Sequence, residues 1–150
     1  MISRHIETLF CDDIRHEVGG KLSFIGVYSG GLIVPAFPVT LPKLCLSVRI
    51  VTPTGEPLSS LTLRIWKDDK ILQEMVLAED QLAAASSDAT DEMIGEQQKN
   101  GVRVSVSQVL LVFSPIQFDE PCVLKVRAQT ETGELAGVAL RVMTQPQLIE

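Results

Sequence analysis

The chain reads as all-β, an antiparallel β-sandwich of about eight strands carrying one long acidic loop. Three observations predict this. Apolar and polar residues alternate with period two in several separate segments, the pattern of strands with one buried face. Proline, glycine and aspartate pairs punctuate the gaps between those segments, which is turn chemistry. No segment sustains the apolar spacing of a long amphipathic helix. With 150 residues, 45% of them hydrophobic, the chain can bury one sizeable core, so residues 1–150 are read as a single domain.

The first strand is read at Ile6 to Cys11, where Ile6, Leu9 and Phe10 are apolar. It enters the most specified stretch of the chain, Phe10 to Gly31, FCDDIRHEVGGKLSFIGVYSGG. Asp12 or Asp13 is suited to cap a helical turn, with Ile14 and Val18 stacked four residues apart. Gly19 would end that turn and Gly20 would allow a sharp reversal. A strand from Lys21 to Tyr28 follows, with Leu22, Phe24 and Tyr28 on one face; Gly26 inside it marks a bulge or a close approach. Leu32 to Leu41, LIVPAFPVTL, is apolar but broken by prolines, which fits an edge or crossover segment rather than a central strand.

Lys43 to Thr52 gives the clearest alternation, with Leu44, Leu46, Val48 and Ile50 on one face and Cys45, Ser47 and Arg49 on the other. Pro53, Thr54 and Gly55 form a turn. Ser60 to Lys67 repeats the pattern with Leu61, Leu63 and Ile65 inward and Trp66 outward, and Lys67 to Lys70, KDDK, is a tight hairpin turn into a return strand at Ile71 to Ala78. Residues 79–101 hold six acids and one lysine, nearly the whole formal charge of −6. That segment is read as a mobile insertion with one helical turn at Gln81 to Ala85 and a loop at Ser86 to Thr90. Val102 to Phe113 resumes period two, with Val102, Val104 and Val106 on one face. Val123 to Thr130 places Leu124, Val126 and Ala128 inward, and Thr132 with Gly133 turns the chain into Leu135 to Met143, whose Ala136, Val138, Leu140 and Val142 share a face. The tail from Gln145 is read as frayed. Leu46, Val48, Leu63, Val104, Val126 and Leu140 are the expected core.

Composition narrows the function classes. A net charge of −6, with its 13 basic residues scattered along the chain, argues against a nucleic-acid partner. Met1 to Phe10 is too polar for an apolar targeting segment, and no apolar run approaches the roughly 20 residues that cross a bilayer. Cys11, Cys45 and Cys122 each sit in an apolar run, as free thiols that pack like small hydrophobes do. The expected compartment is a reducing cytoplasm, with no membrane partner.

The opening motif, CDD followed by Arg15, Glu17, GGK and GVY, resembles that of small uncharacterised bacterial and phage-associated proteins, a likeness covering roughly the first 50 residues. That resemblance implies no activity. By architecture the chain also resembles immunoglobulin-like domains, although Trp66 lacks the flanking cysteine pair of true immunoglobulin domains.

No nucleophile, base and orienting acid assemble from the sequence, and Ser29 in YSGG has the spacing of neither a nucleophile elbow nor a phosphate loop. No catalytic residue and no cofactor are therefore expected. The leading expectation is a non-catalytic interaction or assembly module, with a protein partner or a homo-oligomer and a contact surface at Ile33, Val34, Phe37 and Trp66. The alternative is a metal-binding domain or metal-dependent enzyme using Asp12, Asp13, His16 and Glu17, with His5 approaching if the strand folds back. A small-ligand carrier is the third.

Overall fold

The computed structural model describes residues 3–88 and 104–145, and apart from one short helix their regular elements are strands. In chain order these are β1 (His5–His16), β2 (Leu22–Val27), β3 (Gly31–Val34), β4 (Val39–Leu41), β5 (Leu44–Pro53), β6 (Leu61–Lys67), β7 (Lys70–Leu77), α1 (Glu79–Ala85), β8 (Ser86–Asp88), β9 (Val104–Phe113), β10 (Ile116–Phe118), β11 (Cys122–Thr130), β12 (Gly133–Ala136) and β13 (Leu140–Thr144). They form a five-stranded sheet ordered β2-β1-β5-β9-β8, a six-stranded sheet ordered β3-β13-β11-β6-β7 with β12 beside β11, and a two-stranded sheet of β10 and β4. The strands outnumber the eight or so read from periodicity because the short pieces β3, β4, β8 and β10 carry too few residues to show a period.

The centre of the five-stranded sheet is β5, flanked antiparallel by β1 and β9. Its Leu44, Leu46, Val48 and Ile50 are fully buried and join Leu61, Leu63, Ile65, Leu124, Val126 and Leu140 from the other large sheet in one hydrophobic cluster. Cys45 and Ser47, on the opposite face of β5, are buried as well. The hairpin at KDDK forms as expected, with Asp68 at φ 53. Its backbone N–H donates to Val123 O and its Oδ1 accepts from Val123 N, each at 3.0 Å, so the turn is tied to β11. In α1, Gln81 Oε1 accepts from Ala78 N at 2.9 Å, half of a capping box, and Leu82 anchors the helix in the core.

The structure corrects several expectations. No helical turn follows Asp13; β1 runs unbroken to His16 and pairs with β2. Val18 is 92% exposed, so a helix there would have had no buried face to hold it. Gly19 and Gly20 do supply the reversal, at φ 86 and 76, with Glu17 N donating to Lys21 O at 2.8 Å. The loop expected at Ser86 to Thr90 contains β8, paired with β9. Residues 89–101 of the expected mobile insertion, Val102 and the tail 146–150 lie outside the described residues.

In β9 the inward face is the reverse of the expected one. Val109 and Leu111 lie opposite Val48 and Leu46, so Val104 and Val106 fall on the other face and Val104 is only half-buried. Register is set where apolar pairs gain most, and a shift of one residue exchanges the faces. The segment Leu135 to Met143 shows the same effect. Ala128 lies opposite Leu135 but Leu124 opposite Leu140, a change of register by one. Leu135 packs on the core with Leu140 and Val142, while Ala136 is exposed and Val138 is 70% exposed. The break falls at Gly137, where an added Cβ would overlap Thr8 Cγ2 and stand 3.2 Å from Ile6 Cδ1. Finally, β3 runs parallel to β13 in a chain otherwise paired antiparallel among the described residues. Parallel pairing needs a long crossover, and here all the chain between them provides it.

Candidate functional site

Two regions hold the residues singled out in the sequence. The first is the corner where β1 meets β2 and β5. Successive strand residues point to opposite faces, so Asp12 and Asp13 have different partners. Asp12 stands opposite Gly26 in the β1–β2 register. Gly26 adopts φ +69, and an added Cβ would lie 2.7 Å from Asp12 Cγ and overlap its Oδ2, so the carboxylate lies directly over the glycine. From there it accepts the hydroxyl proton of Tyr28. Burial and that bond push the tyrosine up to about 12. The close approach expected at Gly26 is thus made by a side chain.

Asp13 faces the other way and accepts from Lys43 Nζ at 2.5 Å, with Arg15 at 4.0 Å. The lysine hydrogen bond holds its carboxyl below the usual aspartate value and raises the lysine in turn. Asp13 Oδ1 also accepts from Ile14 N at 3.0 Å, so it caps within a strand. Cys11 and Cys45 lie directly opposite each other, and their thiols donate to Asp13 O at 3.4 Å and Asp12 O at 3.8 Å. Burial, with Cys45 adding to it, pushes the Cys11 thiol up to about 11, which makes it a poor nucleophile at neutral pH.

This corner braces three strands, and it does not gather metal ligands. His16 lies four strand residues beyond Asp12, about 13 Å away, and both His16 and Glu17 are exposed at the hairpin. His5 sits at the far end of β1 from His16 and is engaged by Ser3 O at 3.0 Å and by Glu7 at 3.6 Å. The strand does not fold back. Among the described residues no group of three or more His, Cys, Asp or Glu comes close enough to hold an ion.

The second region is the face of the six-stranded sheet turned away from the core. Trp66 lies there opposite Lys125, and the next row pairs Arg64 with Arg127. Like charges directly opposite are unfavourable; here each has its own acid, Glu74 at 2.8 Å from Arg64 and Glu134 at 3.9 Å from Arg127. Trp66, Asp68, Asp69, Lys125, Arg127 and Glu134 line an open cleft of about 270 Å³. Ile33, 49% exposed, stands opposite Met143 on the same face. Val34 does not belong to any surface, being buried in the core cluster, and Phe37 packs against that cluster. Period two in β3 divides the apolar run, Leu32 and Val34 inward and Ile33 outward. Lys125, Arg127 and Arg64 were the residues missed; the alternation of 123–130 already put the first two outward, and pairing with Trp66 is what the sequence alone did not show.

A model for a family described as of unknown function, DUF6941, matches residues 7–143. No curated protein matches the chain.

Proposed function

We propose, for a chain that belongs to the DUF6941 family, the role of a non-catalytic interaction module, built as an immunoglobulin-like sandwich and docking a protein partner on the outer face of its six-stranded sheet. The observation that carries this is the single tryptophan, Trp66, set in an open cleft between Lys125, Arg127 and two turn aspartates. Tryptophan and arginine are the residues that most often anchor protein contacts, and strand-borne side chains present them rigidly. The non-catalytic reading is supported by the corner at Asp12 and Asp13, whose acids and thiols are engaged in holding strands. A reducing cytoplasm accords with three cysteines that are all free and buried. No helix among the described residues is long and apolar enough to cross a membrane.

The test is affinity capture from the native host with the wild type, Trp66→Ala and Ile33→Glu. We expect one protein to be captured specifically by the wild type and lost by about 30-fold or more with Trp66→Ala, the effect of a hot-spot truncation, while circular dichroism stays unchanged. Undiminished capture by both variants would refute the assignment of this face.

A further inference from the structure

We infer that Arg4 and Glu131 form an acid-released latch on the first half of β1, so that this end of the strand peels away while the rest of the sandwich stays folded. The inference is independent of the partner face at Trp66. Over residues 5–9, β1 pairs with β5 on one side and, among the described residues, with no strand on the other, since pairing with β2 starts at Cys11. Side chains close that open side instead. Thr8 Oγ1 donates to Val138 O at 3.1 Å, and just ahead of the strand Arg4 donates to Glu56 O at 2.7 Å and to Thr132 Oγ1 at 3.0 Å. Arg4 also pairs with Glu131 Oε1 at 2.8 Å. The second carboxylate oxygen of Glu131 accepts from Ser59 N at 3.3 Å and Ser60 N at 3.5 Å. One carboxylate therefore gathers the lead into β1, the link before β6 and the turn after β11.

The asymmetry of the pair sets its trigger. The Arg4 side chain is only 7% exposed and that of Glu131 27%, and a guanidinium keeps its proton in acid and at neutral pH alike, whereas a carboxylate does not. Protonating Glu131 thus strands a buried cation without its counter-charge, which is far more costly than losing an exposed pair. The guanidinium then gains by moving into water, and residues 5–9 lose their tie. Its bonding set is also incomplete, since Arg4 Nε is buried without a hydrogen-bond partner, unlike the great majority of buried donors. Arg4 is the charged side chain that faces Glu131 from the lead into β1. The link before β6 faces it with the Ser59 and Ser60 N–H groups and carries Glu56, whose carbonyl holds Arg4, and the turn after β11 adds the uncharged hydroxyls of Thr130 and Thr132. Burial pushes the Glu131 carboxyl up, but its own backbone N–H, Arg4 and Ser59 N outweigh burial and hold it below its ordinary value of 4.5. Because the folded value is depressed, the latch is intact above the unfolded value and is lost as pH falls through the folded one.

Hydrogen exchange of the full chain, read by mass spectrometry and corrected for the intrinsic rate, tests this from about pH 7 to about pH 3. In the wild type, exchange over residues 4–9 should rise about ten-fold or more at the acid end while β6 and β11 stay protected. Glu131→Gln should show the same open end already at neutral pH. Adding Arg4→Met removes the stranded charge, so the double variant should return to within about three-fold of the wild type and lose the acid response, whereas a merely structural role would make it worse than either single variant. Should Glu131→Gln unfold throughout, the acid profile of the wild type still decides. Exchange over residues 4–9 that ignores acid, that rises only together with β6 and β11, that is unchanged in Glu131→Gln, or that is additive in the double variant overturns the inference.

Discussion

Replacing Gly26 by alanine tests how the first corner is held. The backbone there has φ +69, a conformation that costs an L-residue about 1–2 kcal/mol. The new Cβ would also stand 2.7 Å from Asp12 Cγ, so the carboxylate must swing away and release the Tyr28 hydroxyl. A hydrogen bond to a charged group contributes about 1.5–3 kcal/mol, and partial exposure of this pair reduces that to about 1. The sum is about 2–3 kcal/mol, or about 5–10 °C in Tm for a domain of this size. Urea denaturation at neutral pH measures it. The decisive comparison is a double-mutant cycle with Asp12→Ala. Without the carboxylate, Gly26→Ala should cost only the backbone part, leaving a coupling of about 1 kcal/mol. An equal cost in both backgrounds would show that Asp12 does not rest on Gly26 in solution.

Two further outcomes are expected. Leu46→Ala and Leu63→Ala, both at fully buried positions, should each cost about 2–5 kcal/mol through lost burial and the cavity left behind; a thermal melt that does not move would place the inward faces of β5 and β6 wrongly. Lys43→Met should raise the Asp13 carboxyl toward its ordinary value of 3.8, followed by NMR titration. Because the folded value is depressed, the Asp13 contribution to stability is present above the unfolded value and fades as pH falls through the folded one. The variant should therefore show a flatter acid limb of stability against pH, and an unshifted carboxyl would mean that the pair is not formed.

Legibility in the sequence followed length and burial asymmetry. In β5, β6 and β11 one face is apolar at three or four successive inward positions, so strand, inward face and turns are all legible. At the CDD corner Asp12 and Asp13 suit the cap of a helical turn by residue type, and the structure shows Asp13 accepting from Ile14 N within a strand instead, so capping alone does not distinguish the two; what decides is Gly26 and Tyr28 across the hairpin, which only pairing brings opposite Asp12 and Phe10. In β9 the apolar run from Val109 to Phe113 has no period, so the shorter Val102 to Val106 pattern set the expected face and set it wrongly. The change of register at Gly137 is invisible locally because its cause, Thr8, comes from the start of the chain. For the candidate surfaces the sequence offered Ile33, Val34, Phe37 and Trp66 as equivalents, whereas exposure is decided strand by strand.

The parallel edge formed by β3 and β13 governs the order in which the chain can become complete. Ile33 pairs with Met143, so the two strands meet only after the intervening residues have been made and arranged. Closing so long a loop is entropically costly and is repaid only once the remaining sheet offers β13 a place. At a synthesis rate of about 5–20 residues per second, β3 leaves the ribosome about 5–20 s before its partner. Throughout that interval Leu32 and Val34, buried in the finished protein, are without the strand that shelters them.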